Sequence, residues 1–310
     1  LHLGDFALKD DLKVFFYTTF ALVAFAFNSI LCRLALRGEE ADAAGFTAVR
    51  LVSGAMALIV ISYVVSKGGN LSGSEGAQHR KDSTVRTLPT GRVSAFGSWP
   101  SGFFLFAYAI CFSFAYLGLS AGTGALILFG SVQMTMIAAA IFKGERPSAL
   151  EWLGLVIAVG GLVYLVLPGL QSPPLASSLL MAAAGMSWGF YTLRGKSSGN
   201  PLTNTTGNFV RSLPFAAVLA VVYLPNLHLS NEGFALAVLS GALASGVGYT
   251  VWYAALKFHT STRAAVLQLA VPVIAAVLGI VLLSEAASLR LGLSAALILG
   301  GISLTIFGRR

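Results

Sequence analysis

Few residues in this chain could act chemically on a small molecule, and most of those are neutral. Gly185-Met186-Ser187-Trp188-Gly189 spells G-x-S-x-G, the spacing that presents a serine nucleophile at a sharp strand-to-helix turn. Such a serine needs a histidine base and an acid to orient it. The four histidines, His2, His79, His228 and His259, fall in tails, loops or an interfacial turn, and no buried acid is expected that could orient one. The match is therefore read as Gly- and Ser-rich helix packing. Cys32 and Cys111 have no Cys or His companion at metal-ligating spacing, and Gly68-Gly69 and Gly91 form no phosphate cradle. The sequence predicts no enzyme, no metal and no cofactor.

What remains are amides, hydroxyls and aromatic rings in apolar surroundings: Asn28, Ser29, Gln133, Trp188, Tyr191, Tyr249, Trp252, Tyr253 and Gln268. A zwitterionic solute needs donors for its carboxylate, acceptors for its ammonium and an accommodating wall, and these residues supply all three. An unsatisfied amide in hydrocarbon is costly, so Gln133 and Gln268 either line a cavity or tie helices together. Trp188, followed by Gly189, is the leading aromatic candidate. Pro272 removes a backbone donor and frees a carbonyl one turn earlier, which suits a hinge.

All twelve acids lie in tails, loops or helix ends. A charge held at the bilayer centre is costly and marks ion or proton work, so proton-driven export of cationic drugs is disfavoured. Facilitated passage of a net-neutral solute fits better. Arg50 and Arg211 begin their spans near the interfaces and are read as anchors whose long side chains snorkel. Holding a substrate carboxylate is the alternative for that pair.

The elements that position these groups follow from composition. Of 310 residues, 56% are hydrophobic and 10% charged, whereas soluble domains carry about 25% charge. A water-facing globule is excluded. Ten apolar runs can cross about 30 Å of hydrocarbon: Val14–Leu36, Phe46–Val65, Ser101–Gly118, Gly122–Phe142, Leu150–Leu167, Leu175–Leu193, Thr206–Leu224, Phe234–Leu256, Thr262–Leu283 and Leu291–Phe307. They lack the alternation of barrel strands and are predicted to be helices. Ser66–Trp99 is expected to be a flexible polar loop. Leu1–Lys13 is read as a short cytoplasmic surface segment, not a signal peptide.

With the N-terminus in the cytoplasm, fifteen of the 20 Lys and Arg fall inside, three outside (Arg33, Arg37, Arg290) and two within spans. Both termini are then cytoplasmic. The net charge of +8 reflects orientation and anionic lipid, and no nucleic-acid partner is needed.

The chain also repeats. Gly124-Ala125-Leu126-Ile127-Leu128-Phe129, on to Gly144-Glu145, aligns at a shift of 140 with Ala264-Ala265-Val266-Leu267-Gln268-Leu269, on to Ser284-Glu285. Val49-Arg50-Leu51 matches Val210-Arg211-Ser212 at a shift of 161, and Asn28-Ser29 falls over Trp188-Gly189 at a shift of 160. An odd number of helices per unit requires the second unit to be inserted upside down, an arrangement typical of transporters.

On Trp188-Gly189, Arg50, Arg211, Glu145, Glu285 and the Pro272 of LAVPVIAAVLGIVLLSE, the chain resembles the drug/metabolite transporter superfamily with two EamA-type repeats. The resemblance runs from Val14 to Phe307 apart from the long loop. Departures are Val132 where the first repeat commonly has Pro, Asn28-Ser29 in place of the first Trp-Gly, and the expanded loop. Within the superfamily, overall likeness is greatest to the YddG-type exporters of aromatic and other amino acids.

The resemblance implies an all-α polytopic membrane protein of ten helices in two inverted five-helix repeats, residues 14–168 and 169–310, after a segment 1–13. The expected function is export of amino acids across a bacterial inner membrane by alternating access, with one chain sufficient. Export of another metabolite or a drug, or a non-transporting scaffold or receptor, are the alternatives. Glu145 and Glu285 are expected to cap or pin neighbouring helix ends.

Overall fold

A computed structural model of the chain describes residues 2–74, 97–142, 144, 148–167, 172–195, 200–256, 258–259 and 267–308. Ten helical rods account for nearly all of them. They are α1 (His2–Arg37), α2 (Ala43–Ser74), α3 (Trp99–Ala115), α4 (Ala121–Phe142), α5 (Ala149–Val166), α6 (Leu175–Gly195) and α7 (Pro201–Tyr223). The rod α8 runs through Asn231–Val238, a π-helical stretch Leu239–Val247, and Gly248–Leu256; α9 (Ala270–Leu283) and α10 (Leu289–Phe307) complete the set.

Short polar residues start the rods where the apolar runs begin. Ser98, Ser148, Asn200, Ser230 and Ser288 each accept a backbone N–H in the first turn, satisfying donors that a helix leaves orphaned. At α5 the cap is reciprocal, with Glu151 returning a bond to the Ser148 backbone.

Among the described residues, seven rods (α1, α2, α4, α5, α7, α8 and α10) contain stretches long and apolar enough to cross a bilayer. Two more, α3 and α9, are apolar but shorter as described, and α6 carries Ser, Thr and Arg194. Large apolar side chains such as Val156, Val218, Val221 and Val281 stand exposed on the outside of the bundle, as a lipid-facing wall requires. The protein is an all-helical, multi-pass membrane protein.

Each predicted span that falls on described residues is helical, with three differences. The helix of α1 begins at His2, so the predicted surface segment continues the rod. Helix α2 extends to Ser74, well into the predicted loop, through Gly68, Gly69 and Gly73, which disfavour a helix but do not block it as a proline would. The predicted start of the ninth span at Thr262 lies outside the described residues.

Packing follows small residues. Gly154 and Ala158 of α5 meet Gly301 of α10, so closely that a Cβ on Gly301 would sit 2.6 Å from the Ala158 nitrogen. A Cβ at the adjacent Gly300 would meet nothing within 4 Å, so Gly301 and not Gly300 makes the contact. Gly122 of α4 lies against Ala276 of α9. The contacts come in pairs that exchange under a shift of five helices. Thus α1 packs on α8 and α9 while α6 packs on α3 and α4; α2 packs on α8 while α7 packs on α3; α2 with α7, α4 with α9 and α5 with α10 pair across.

The two ends of the bundle are tied separately. At one end, Arg33 reaches Tyr116, Asp42 reaches His228 and Arg290 reaches Tyr164. At the other, Ser62 meets Thr206, Ser98 meets Asn208 and Arg194 meets Ser101.

Candidate functional site

A small cavity opens where α1, α3, α4, α6 and α8 converge with the turn that precedes α9. It is lined by Phe25, Asn28, Ser29, Tyr108, Phe112, Leu128, Phe129, Trp188, Tyr249 and Gln268, and holds about 30 Å3. That is room for a water, not an amino acid.

Asn28 is held on both sides. Its Oδ1 accepts from Ser240 in the π stretch of α8, and its Nδ2 donates to the Tyr108 hydroxyl at 3.4 Å. The same hydroxyl accepts from Arg50 Nη2 at 3.0 Å. π-Helical turns are rare and concentrate at functional sites; this one delivers Ser240 to Asn28.

Arg50 departs from its sequence reading. It does not snorkel: it lies two turns inside α2 and is 2% exposed. Its guanidinium stands 5.2 Å from the Tyr108 ring centre and 4.8 Å from that of Phe112, a cation–π arrangement. Gly241 of α8 presses on the Arg50 carbonyl and the Ser53 hydroxyl, where a Cβ would overlap both. Arg211 is partly buried and bonds the Gly207 carbonyl at 3.2 Å.

Trp188 is the hub of the aromatic wall. Its ring lies 4.9 Å from Tyr108, 5.1 Å from Tyr249 and 5.2 Å from Tyr191. Such pairs add about 0.5–1.5 kcal/mol each beyond burial. The rod that carries Trp188 can approach α4 because Gly185 and Gly189 have no side chain; a Cβ at Gly185 would meet the Leu128 carbonyl at 2.6 Å. Those two glycines of the G-x-S-x-G match thus pack helices.

Of the sequence-derived candidates, Asn28, Ser29, Trp188, Tyr249 and Gln268 border one cavity. Tyr191 stacks behind Trp188 and accepts from Asn208 Nδ2 at 3.4 Å. Trp252 packs on Phe25 at 5.9 Å, outside the lining. Gln133 is buried on α4 but borders no part of the cavity. The Tyr253 side chain lies outside the described residues.

Pro272 sits in the first turn of α9, just after the rod breaks at Leu269. In a first turn the N–H has no intrahelical partner to lose, so proline is accommodated there, and not halfway along the span as the sequence reading places it. The Pro272 ring borders an apolar groove with Gly122, Ala276 and Leu291.

The sequence reading misses Phe25, Tyr108, Phe112, Leu128 and Phe129. Tyr108 carried a signal, as a hydroxyl midway along the third apolar run; the others are indistinguishable from packing residues.

One end of the bundle is latched above the cavity. Glu285 accepts the Ala121 N–H at 2.9 and 3.1 Å and pairs with Arg33 Nε at 3.4 Å. Arg33 Nη1 also reaches the Tyr116 carbonyl at 2.9 Å, and Arg37 holds the Leu283 carbonyl. Glu285 is therefore a cap on α4; its repeat mate Glu145 lies outside the described residues. Beyond the latch is a polar basin of about 560 Å3 bordered by Arg33, Arg37, Ser120 and Glu285. Among the described residues, no group of three or more His, Cys, Asp or Glu is placed to hold a metal.

Residues 175–307, spanning α6 to α10, match the EamA-like transporter family. An uncharacterized protein of Pseudomonas aeruginosa is 44% identical over 96% of both chains. The chain belongs to the EamA-like transporter family.

As an EamA-like protein it is a membrane transporter and not an enzyme, within the drug/metabolite transporter superfamily. A probable amino-acid metabolite efflux pump of Escherichia coli is 26% identical over 66% of this chain and 73% of its own. A crystal structure superposes with a TM-score of 0.61 over 96% of this chain and 98% of that one, at 17% identity. It shares the EamA-like chain's fold.

Proposed function

We propose that the protein exports amino acids, aromatic ones included, across a bacterial inner membrane by alternating access. The observation that carries this reading is the composition and closure of the cavity. Its lining joins neutral hydrogen-bonding groups (Asn28, Ser29, Tyr108, Gln268) to a wall of rings around Trp188. That combination suits a zwitterion with a variable side chain. With room for only a water and a latch at one end, passage of such a solute requires the helices to move. The name of the Escherichia coli relative points the same way.

The internal symmetry supports a rocking mechanism. The packing pairs exchange under a shift of five helices, as expected of two inverted five-helix units, residues 14–168 and 169–310, around a shared site. Three exchange-related pairs of segments line the cavity: α1 with α6, α3 with α8, and α4 with the turn before α9. In this reading both termini are cytoplasmic, the Arg33–Glu285 end faces outward, and one chain is the functional unit. Among the described residues, the buried charged side chains are Arg50 and Glu151. Glu151 is engaged in a helix cap, so the cavity holds no carboxylate to carry a proton, and transport is facilitative.

The test is exchange in liposomes. Purified protein, preloaded with unlabelled amino acids and offered radiolabelled phenylalanine or leucine without an ion gradient, accumulates label. Absence of exchange by folded protein overturns the amino-acid reading. It would turn the search to other metabolites or drugs, and a bundle indifferent to cavity substitutions would be a scaffold.

A further inference from the structure

Arg50 is a cation in the wrong place for a packing residue. Its side chain is 2% exposed, two turns inside a membrane-spanning rod. Among the described residues the ion pair found is Arg33 with Glu285, so no carboxylate neutralises Arg50. Its Nη2 is used on the Tyr108 hydroxyl, but Nη1 is buried with no hydrogen-bond partner at all. An uncompensated guanidinium away from water is costly, and the faces of Tyr108 and Phe112 recover part of that cost but leave the N–H edge of Nη1 unmet.

The position of this edge gives it meaning. The Tyr108 and Phe112 rings against which Arg50 lies are themselves cavity walls, and Tyr108 is bonded to both Arg50 and Asn28. Arg50 is thus one side-chain layer behind the cavity. A hydroxyl that accepts twice still has its own proton to donate, so the Tyr108 proton and the Nη1 edge are two donors left unused on and behind one cavity wall. Guanidinium groups favour carboxylates because their N–H fork matches the two oxygens.

We propose that Arg50, with Tyr108, is the carboxylate subsite of the cavity, and that a free carboxylate is the feature every good substrate shares. The assignment deepens the amino-acid reading and rests on its placement of the site. The solute's carboxylate supplies the counter-charge that the protein omits, and the aromatic wall around Trp188 takes the remainder. The free ammonium group is not the discriminating feature; the carboxylate is.

The experiment uses three probes of one shape: L-phenylalanine, 3-phenylpropionate, which lacks the ammonium, and L-phenylalaninamide, which lacks the carboxylate charge. The purified full chain in detergent is melted with each. The two carboxylates raise the melting temperature and the amide does not, its apparent affinity being weaker by roughly tenfold or more, the scale of losing a hydrogen bond to a charged group. In Arg50→Gln the carboxylate effect disappears, whereas Arg50→Lys keeps part of it. Equal stabilisation by the amide, or none by any probe, overturns the proposal, and wild-type protein decides this even if Arg50→Gln fails to fold. A folded Arg50→Gln protein that keeps the wild-type ratio between carboxylate and amide also overturns it. The liposome assay keeps the two readings apart. Carboxylate stabilisation without amino-acid exchange sinks the exporter reading and leaves the subsite standing.

Discussion

Arg33 of the first helix and Glu285 beyond the ninth meet at 3.4 Å across 252 positions of sequence. The pair closes one end of the bundle, because each partner also holds backbone elsewhere: Arg33 on the Tyr116 carbonyl, Glu285 on the Ala121 N–H. A part-exposed ion pair by itself contributes little. Its importance here is that Glu285 doubles as the cap of α4.

Glu285→Ala should therefore loosen that end without unfolding the protein. The expected loss is about 1 kcal/mol, the scale of a lost helix cap. With Ser29→Cys as a reporter in the cavity wall, labelling by a membrane-impermeant maleimide should rise several-fold. Unchanged labelling would show that the latch does not gate access.

Trp188 contacts Tyr108, Tyr191 and Tyr249 at once. Trp188→Ala should reduce amino-acid exchange by roughly tenfold or more, since truncating a central aromatic anchor removes its largest contact. Trp188→Phe should retain most of it. Elution of both variants as single species on gel filtration separates loss of flux from loss of fold.

The buried Gln133 and the part-buried Gln268 should behave differently. Gln268 borders the cavity and Gln133 does not. Gln268→Leu should impair exchange strongly while Gln133→Leu leaves the apparent affinity for substrate near wild type. Equal effects on that affinity would place Gln133 in the site after all.

Gly185→Val should destabilise by about 1–3 kcal/mol through overpacking, because a Cβ there meets the Leu128 carbonyl and the Ser131 Cβ at 2.6 Å each. A lowered melting temperature in detergent checks it. Ser187→Ala, which removes the hydroxyl of the nucleophile-like motif, should leave exchange unchanged.

Much of the site was legible residue by residue. Asn28, Ser29, Trp188, Tyr249 and Gln268 are conspicuous because polar and aromatic groups stand out in apolar runs, and they do share a cavity. Arg50 was legible as a residue but not as a place. Counting from the start of its apolar run puts it near an interface, whereas α2 begins at Ala43 and the glycine contact of α8 seals it in. Phe25, Phe112 and Phe129 carried no signal, since a cavity-lining Phe and a lipid-facing Phe have the same neighbours in sequence.

The sequence by itself determined the helices and the membrane. Crossing a bilayer depends on the summed apolarity of about 20 consecutive residues, which is a local property. Only the tertiary structure decided which polar groups meet. That depends on how each rod is rotated about its axis, and rods such as α4 and α9 are apolar nearly all the way round. Lipid tails and neighbouring helices are equally apolar, so hydrophobicity sets no preferred face. The rotation is set instead by where small residues allow close approach: Gly185 and Gly189 turn Trp188 into the cavity, and Gly241 buries Arg50 behind it.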